Sequence, residues 1–369
     1  MKKGIRVIIS GGGTGGHIFP AISIANALKE ISPECEILFV GALGRMEMER
    51  VPAAGYKIEG LPVAGLQRSL SIENLKLPFR IVKSLGMAGR IIENFKPDAA
   101  VGVGGYASGP LLWMAGRKRV PYIIQEQNSY AGLTNKLLGK RAKKICVAYE
   151  GMDKFFNSDK IILTGNPVRK GITKATPEMK ERAAQLFSLD RSKKTLLVTG
   201  GSLGAGTLNR CMTEWITANM ECDVNIIWQT GKYYYNNIKG FNEQNPRNYI
   251  RCYEFLSDMD LALAAADVVI SRAGAGTISE LCIAAKAVIF VPSPNVAEDH
   301  QTHNARSLSD KGAALLVPDQ YAVEELMKTA MSLIKEDSQI KELEIKIEEM
   351  ALRNSAEIIA REIIKAASL

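Results

Sequence analysis

Short apolar runs rich in β-branched residues alternate with longer stretches of helical periodicity along the whole chain. In the first half the apolar runs cover residues 7–9, 37–40, 99–103, 122–125 and 145–147, and a candidate helix separates each run from the next. Parallel strands that are covered by helices on both faces have continuous apolar runs of this kind. The pattern therefore predicts an α/β fold built of parallel, doubly wound βαβ units.

The alternation stops after the first half and then begins again. A Gly-Asn-Pro turn at 165–167 leads into a polar stretch at 177–189 that is predicted as a helix. The repetition predicts two Rossmann-like domains, 1–167 and 168–353, separated by a cleft, with a last helix at about 354–369 that returns to the first domain. Six further apolar runs are predicted as the strands of the second domain: 195–199, 225–229, 250–253, 268–271, 288–291 and 314–317.

The composition agrees with a globular protein of two domains. The chain has 369 residues, more than one hydrophobic core usually serves. Its apolar content of 46% and charged content of 23% are ordinary for this class. No apolar stretch approaches the ~18 residues that a transmembrane helix needs. The six cysteines are scattered without C-x-x-C spacing, so we expect buried, reduced thiols in a cytosolic protein.

Basic charge is concentrated in one segment of the first half. Residues 117–144 contain eight basic side chains and one acid, a net charge of +7, whereas the whole chain has a formal charge of +8. Such a segment could bind an anionic membrane surface, bind nucleic acid, or simply form a solvated basic face of the protein. Ahead of it, residues 75–85 alternate apolar and basic side chains, which indicates either an interfacial helix or a helix packed on the sheet.

Two glycine-rich stretches follow the first predicted strand of each half. Residues 11–16 come directly after the run 7–9 and end at His17, and residues 200–206 come directly after the run 195–199. Glycines let backbone N–H groups approach an anion, and the helix that follows adds the positive end of its dipole. Both stretches therefore predict phosphate-binding turns, with tight helix–strand packing as the alternative.

A third strand–glycine loop–helix transition lies at residues 271–281. Its small residues would let a flat ring or a diphosphate lie against the backbone, and Glu280 could accept hydrogen bonds from a ribose diol or complement the helix dipole. The His300-x-x-His303 pair has no third ligand nearby, so we expect no metal site there. Asp258-x-Asp260 precedes a helical stretch, and helix capping explains it better than cation binding.

Seven short motifs, in order over nearly the whole chain, together resemble the MurG family of N-acetylglucosaminyltransferases. The resemblance implies the two-domain glycosyltransferase-B fold, UDP-N-acetylglucosamine as donor and lipid I (undecaprenyl-pyrophosphoryl-N-acetylmuramoyl-pentapeptide) as acceptor. It implies one inverting displacement that forms a β-1,4 bond and gives lipid II for peptidoglycan synthesis. No covalent intermediate and no resident cofactor are implied, while divalent metal assistance stays open. The motifs lie at 12–17, 104–110, 126–135, 165–169, 200–205, 275–280 and 299–305.

The resemblance also implies roles for individual residues. His17 is the candidate general base, because an imidazole titrates near neutrality, and binding of the acceptor diphosphate is its alternative role. Glu126 is the alternative base. Gly13, His17, Gly104, Gly105 and Tyr106 are expected to face the acceptor and its diphosphate. The donor is expected near Thr14, Gly15, Gly16, Asn128, Arg169, Ser202, Leu256, Ala275, Gly276, Thr277, Ile278, Ser279, Glu280 and Gln301.

The polyprenyl acceptor that the resemblance implies stays in the bilayer. We therefore expect a peripheral protein on the cytoplasmic side of the cell membrane, bound to anionic lipid and not to nucleic acid. Apolar side chains would enter the interface, and each well-placed basic residue would add ~1 kcal/mol. The expected membrane contacts are Leu75, Phe79, Val82, Leu85 and Lys140.

Three other enzyme classes share parts of this pattern. A UDP-N-acetylglucosamine 2-epimerase would need acid and base carboxylates near C2 of the sugar and no lipid acceptor. A nicotinamide-dependent oxidoreductase would need G-x-G-x-x-G followed about 20 residues later by an acid, and neither glycine-rich turn provides both. A transferase that makes a diacylglycerol glycolipid is the nearest alternative.

Overall fold

The structure is a computed structural model that describes residues 4–63 and 77–368. The chain divides into two compact units, Met1–Arg169 with Leu352–Leu369, and Lys170–Ala351. The chain passes from the first unit to the second after Arg169 and returns to the first after Ala351. Each unit has its own parallel sheet and its own hydrophobic core.

A seven-stranded sheet forms the centre of the first unit. Its strands are β1 (Arg6–Ser10), β2 (Glu36–Ala42), β3 (Lys57–Leu61), β4 (Ala99–Gly102), β5 (Tyr122–Glu126), β6 (Lys144–Val147) and β7 (Ile161–Leu163). They lie in the order β3-β2-β1-β4-β5-β6-β7, and all neighbours are parallel. The order reverses between β1 and β4, as in a doubly wound fold.

Helices cover both faces of this sheet. Because side chains alternate along a strand, Val7 and Ile9 of β1 face one layer and Ile8 faces the other. The layer on the side of Val7 includes the first and last helices, α1 and α14, and the layer on the side of Ile8 includes α3, α4 and α5. The described helices of the unit are α1 (Gly15–Ile31), α2 (Glu47–Ala53), α3 (Leu77–Phe95), α4 (Ser108–Arg117), α5 (Leu133–Gly139) and α14 (Ser355–Ala367).

The two edge strands, β3 and β7, are missing from the sequence prediction. Alternate residues of β3 are exposed, among them Lys57 and Glu59. The strand β7 has only three residues, and none of them is fully buried. Edge strands are commonly short and polar, which protects their open side from pairing with another chain. In β3 the exposed Lys57 and Glu59 interrupt the apolar run, whereas β7 is an apolar run of three residues that the sequence prediction does not include.

A six-stranded parallel sheet forms the second unit. Its strands are β8 (Lys194–Thr199), β9 (Val224–Gln229), β10 (Ile250–Tyr253), β11 (Val268–Ser271), β12 (Ala287–Phe290) and β13 (Leu315–Leu316), in the order β10-β9-β8-β11-β12-β13. All six correspond to predicted strands. The helices are α6 (Pro177–Leu186), α7 (Gly206–Ala218), α8 (Tyr235–Gln244), α9 (Met259–Ala265), α10 (Ala275–Ala284), α11 (His300–Ser309), α12 (Ala322–Leu333) and α13 (Asp337–Glu349). α6 ends before 189 because Ser188 adopts a left-handed φ of 51°.

The cysteines form no disulfide among the described residues, in which all six are free. Four are buried, whereas Cys222 and Cys252 are half-buried, which corrects the expectation that every thiol is buried. Burial raises the pKa of Cys35 and Cys211 to about 11 and that of Cys252 to about 12. Thiols with such pKa values stay protonated near neutral pH and are poor nucleophiles.

Candidate active site

Both units place glycine-rich loops at the point where their strand order reverses. In open parallel sheets, ligands bind beyond the carboxyl ends of the strands at this switch point. In the first unit it lies between β1 and β4, and in the second unit between β8 and β11. The loops that start at these strand ends contain residues 11–14, 103–107, 200–205 and 272–274.

The first glycine loop is shorter than the sequence suggests. Helix α1 begins at Gly15, inside the glycine-rich stretch 11–16, and Thr14 has the extended conformation of an N-cap residue. The N–H groups of His17 and Ile18 donate to the carbonyl oxygen of Thr14 at 3.1 and 3.2 Å. Amides of a helix's first turn have no carbonyl partner four residues back and favour an anion. Gly15 and Gly16 occupy this first turn.

The imidazole of His17 lies against the loop that follows β4. Its Nδ1 atom is 3.3 Å from the Oγ1 atom of Thr14, and a methyl group at Gly104 would lie 2.5 Å from its Cδ2 atom. A methyl group at Gly105 would lie 2.3 Å from the carbonyl oxygen of Gly12. Gly104 and Gly105 also have φ values of 103° and 90°, so this close approach of two loops requires glycine.

The structure brings together most of the predicted acceptor-side residues, and within this group the N–H of Gly13 has a partner of its own. The N–H of Gly13 donates to the Oε2 atom of Glu47 at 2.9 Å. Because the N–H of Gly13 already donates to the buried carboxylate of Glu47, it is not available to donate to the acceptor diphosphate. Tyr106 is about half-exposed at 51% and lies next to Gly105 in the same loop.

Glu126 is a buried carboxylate that holds its own loop. Its Oε2 atom accepts hydrogen bonds from the N–H of Gly132 at 3.1 Å and the Nδ2 of Asn135 at 2.8 Å, and Oε1 accepts from the N–H of Asn128 at 3.1 Å. Burial raises its pKa, and these hydrogen bonds oppose the shift. Both carboxylate oxygens of Glu126 therefore accept hydrogen bonds from the loop of residues 128–135. These bonds hold the loop, including Asn128, in place.

In the second unit, the predicted donor loops surround a cavity of about 360 Å³. The loop of residues 200–205 packs closely against the turn after β9, since a methyl group at Gly204 would lie 2.2 Å from the carbonyl oxygen of Thr230. The ring of Tyr234 covers Gly204 and Gly206. The cavity is lined by Gly200, Gly201, Gly204, Ala205, Gly206, Tyr234, Ser271, Arg272, Gly274, Thr277, Ser293, Asn295 and Gln301.

Arg272 is the charged residue of this lining, and its role was not predicted from the sequence. Its Nη1 atom donates to the carbonyl oxygens of Val291 at 2.9 Å and Pro292 at 3.1 Å, and it pairs with Asp319 at 2.5 Å. The other carboxylate oxygen of Asp319 accepts from the hydroxyl of Thr207 at 3.0 Å. The guanidinium is therefore held in one orientation beside the glycine loop.

The remaining predicted donor contacts of this unit have different environments. Thr277 and Gln301 line the cavity, and the Oε1 atom of Gln301 accepts from the N–H of Ser293 at 2.9 Å. Ser202 is exposed at the loop tip outside the lining, and the N–H of Leu256 donates to the side chain of Gln229 at 2.9 Å. A contact between Leu256 and a base would therefore use the carbonyl oxygen.

Helix α10 carries the other predicted donor contacts. Ala275 and Gly276 begin this helix, and the hydroxyl of Ser279 donates to the carbonyl oxygen of Ala275 at 3.1 Å. Ile278 is buried. Glu280 is also buried and lies beyond the first turn, so the interpretation that it complements the helix dipole is wrong. Arg169 is exposed and belongs to the first unit.

No group of three or more His, Cys, Asp or Glu side chains with suitable spacing occurs among the residues that the structure describes. Asp258 stands at the N-cap position of α9, but its side chain makes no capping hydrogen bond, which corrects the capping interpretation. Its carboxylate instead accepts from the hydroxyl of Ser257 at 2.7 Å.

A separate surface of the first unit is apolar and basic. The helices α3, α4 and α5 pack side by side over one face of the sheet, and large apolar side chains stand on their outer side. No helix in residues 4–63 and 77–368 is long and apolar enough to cross a bilayer. Leu75 lies outside the described residues, Leu85 is half-buried and Lys140 is exposed. The exposed apolar residues of this surface are Phe79, Ile81, Val82, Trp113, Leu133 and Leu137.

Two doubly wound units with glycine loops at their switch points define a protein of the glycosyltransferase-B architecture. The profile of the glycosyltransferase family 28 N-terminal domain matches residues 7–147, and that of the family's C-terminal domain matches residues 195–360. The chain belongs to the MurG family of glycosyltransferase family 28.

Relatives and solved structures agree with this assignment. The chain is 56% identical to a protein of Phocaeicola vulgatus, covering 100% of this chain and 98% of the relative, and 56% identical to one of Parabacteroides distasonis, covering 99% of each. Both relatives are named UDP-N-acetylglucosamine–N-acetylmuramyl-(pentapeptide) pyrophosphoryl-undecaprenol N-acetylglucosamine transferase. The crystal structure of Acinetobacter baumannii MurG matches with a TM-score of 0.78 and 28% identity, covering 98% of this chain and 99% of that one.

The epimerase alternative is supported only by fold. A UDP-GlcNAc 2-epimerase from Neisseria meningitidis matches with a TM-score of 0.65 over 98% of this chain and 99% of that one, but with 14% identity. Identity at this level shows a shared fold, and it is not evidence for a shared activity.

Proposed function

We propose that the protein transfers N-acetylglucosamine from UDP-N-acetylglucosamine to the 4-hydroxyl of lipid I and thereby produces lipid II. The observation that carries the proposal is 56% identity, over essentially the full length of both chains, to relatives that are named for this reaction. The glycine loops at both switch points support it, because two phosphorylated substrates need two such sites.

In this proposal the UDP of the donor binds in the cavity of the second unit. A diphosphate there would be stabilised by backbone N–H groups of residues 200–206, by the N-termini of α7 and α10, and by the guanidinium of Arg272. Arginine suits this task because its planar fork can bind two phosphate oxygens at once. With these groups in place, the step as proposed requires no resident metal, and addition of a chelator to the assay tests that point.

The acceptor reacts at the first unit. The oxygen of the muramoyl 4-hydroxyl forms the new bond to C1 of the donor sugar while its proton passes to an unprotonated ring nitrogen of His17. The bond between C1 and the UDP oxygen breaks, and UDP leaves with the electron pair. One displacement of this kind inverts the anomeric carbon, so the α-linked donor gives a β-1,4 product. His17 suits the role better than Glu126, whose two oxygens already accept hydrogen bonds.

The apolar and basic surface of α3, α4 and α5 supports binding to the cytoplasmic face of the membrane, where the polyprenyl chain of the acceptor resides. Phe79 is 83% exposed and Val82 is 69% exposed, and the basic residues of the segment 117–144 lie in the same unit. Apolar side chains in the interface and cations against anionic headgroups act together.

A single assay tests the reaction. The purified protein is incubated with labelled UDP-N-acetylglucosamine, with and without a lipid I analogue, and the lipid and nucleotide fractions are separated. We expect label in a disaccharide lipid and free UDP only when the acceptor is present. Label that appears in the C2 epimer of the free sugar without acceptor would instead identify an isomerase, and label in a diacylglycerol lipid would identify the other transferase.

A further inference from the structure

Glu47 is a buried charged residue outside the predicted site. It is the first residue of α2, its side chain is 1% exposed, and both of its carboxylate oxygens accept backbone hydrogen bonds. The Oε2 atom accepts from the N–H of Gly13 at 2.9 Å, and the Oε1 atom accepts from the N–H of Ala42 at 2.9 Å. The side chain therefore connects the loop after β1 to the end of β2.

The sequence leaves space for this carboxylate. A methyl group at Gly12 would lie 2.2 Å from Oε1 of Glu47, and a methyl group at Gly41 would lie 2.5 Å from its Cγ. Both glycines are therefore needed for Glu47 to reach its two amides. Gly12 in turn donates its N–H to the carbonyl oxygen of Gly104 at 3.3 Å, and Gly104 supports the ring of His17.

We infer that Glu47 is a positioning residue for the acceptor reaction, an inference that rests on the proposed function. It fixes the conformation of Gly12 and Gly13, and through Gly104 it fixes the place of His17. It also accepts the N–H of Gly13, so this amide points at the carboxylate and not at a substrate.

The Glu47→Gln variant tests this inference with little change of shape. A glutamine keeps one acceptor oxygen but places an NH₂ group against the second backbone N–H, so one of the two hydrogen bonds is lost. We expect kcat with a lipid I analogue to fall about 10²-fold, since small displacements of reacting groups have effects of this size. The Kd for UDP-N-acetylglucosamine, measured by calorimetric titration, stays at the wild-type value.

Asp98→Asn is the matched control. The Oδ2 atom of Asp98 accepts from the N–H of Arg6 at 2.7 Å, at the opposite end of β1. This variant also weakens a bond between a carboxylate and the backbone of β1, but far from the glycine loop. We expect it to lose thermal stability and keep its kcat at a temperature where the protein is folded. Equal losses of kcat in both variants, or a normal kcat in Glu47→Gln, would overturn the inference.

A second variant and a second measurement keep the test decisive if Glu47→Gln folds poorly. Gly41→Ala displaces the Glu47 side chain from behind, and we expect the same loss of kcat. Hydrogen exchange of the peptide that contains Gly13 should become faster in both variants, and unchanged exchange would overturn the inference. If wild-type protein fails to transfer sugar, the proposed function fails, whereas the exchange experiment still reports whether Glu47 holds the loop.

Discussion

The Nδ1 atom of His17 lies 3.3 Å from the Oγ1 atom of Thr14, within the first turn of α1. This contact and the close packing on Gly104 fix the imidazole from two sides. A general base must be held in this way, because proton transfer needs a defined distance to the reacting hydroxyl.

We expect His17→Ala to lower kcat by about 10²–10⁴-fold, the usual contribution of a positioned general base. The base acts in its unprotonated form, so the wild-type rate falls as the pH is lowered through the pKa of the base, and the variant lacks this dependence. The measurement is a pH–rate profile with a lipid I analogue.

Glu126→Gln is the comparison for this profile. We expect this variant to keep the pH dependence of the rate and to lose thermal stability. The NH₂ group of glutamine would face the N–H of Gly132 or the Nδ2 of Asn135, which donate to the carboxylate in the wild type. If the acidic limb of the profile disappears in Glu126→Gln and persists in His17→Ala, the assignment of the base is wrong.

Arg272→Lys should weaken donor binding without removing the positive charge. A lysine has a single ammonium group and cannot bind phosphate while it also contacts Asp319 and the carbonyl oxygens of Val291 and Pro292. We expect the Kd for UDP to rise about tenfold to a hundredfold, which corresponds to the loss of one charge-assisted hydrogen bond. Calorimetric titration with UDP is the measurement.

Arg251→Lys serves as the control for this titration. Arg251 also donates to backbone carbonyl oxygens, those of Phe187 and Ser188, but it does not line the cavity. Its replacement should leave the Kd for UDP unchanged. A Kd for Arg272→Lys equal to that of the wild type would show that the guanidinium does not contact the diphosphate.

The buried Lys286 predicts a pH-dependent stability of the second unit. Its side chain is 4% exposed and donates to the carbonyl oxygen of Ala266 at 2.8 Å, and burial lowers its pKa from 10.5 to about 8. The folded state therefore disfavours the charged form, and wild-type stability rises as the pH increases from about 8 towards 10.5. Below a pH of about 8 the side chain is charged in the folded protein, and the free-energy cost of burying this charge is fully present.

We expect Lys286→Met to be more stable than the wild type at pH 7, because a buried charge is often replaced by an apolar side chain without loss. This difference should shrink as the pH is raised above about 8. Thermal midpoints measured from pH 7 to 9.5 check it, with the exposed Lys328→Met as control. A difference that stays constant or grows with pH would contradict the role of the charge.

The central strands and the glycine loops could be predicted from the sequence because each depends on a few consecutive residues. A buried parallel strand such as β8 needs an unbroken apolar run, and a phosphate turn such as residues 200–206 needs adjacent glycines. The edge strand β3 could not be found this way, because its solvent-facing Lys57 and Glu59 interrupt the apolar run, whereas β7 was missed although its three residues are apolar.

The residues that were missed in the site depend on distant partners. Glu47 meets the loop of Gly13 across 34 positions of the sequence, and Arg272 is held by Asp319 across 47. Tyr234 covers a loop that begins after another strand. Sequence pattern does not reveal which distant residues form such pairs. The glycines at positions 12 and 41 leave space for the Glu47 carboxylate, but this can be recognised only once the fold is known.

The exposed apolar residues of α3 and α5 predict binding to anionic vesicles. Each apolar side chain that enters the interface contributes about 1.5–3 kcal/mol, and each nearby cation adds about 1 kcal/mol on anionic lipid. The double variant Phe79→Ser, Val82→Ser should therefore float poorly with anionic vesicles, while the wild type floats well with anionic and poorly with neutral ones. Met220→Ser, an equally exposed apolar position at 71% in the second unit, should float like the wild type. Equal flotation of the wild type with both vesicle types would remove the electrostatic part of the proposal, and unchanged flotation of the double variant would exclude the outer side of α3 as the membrane contact.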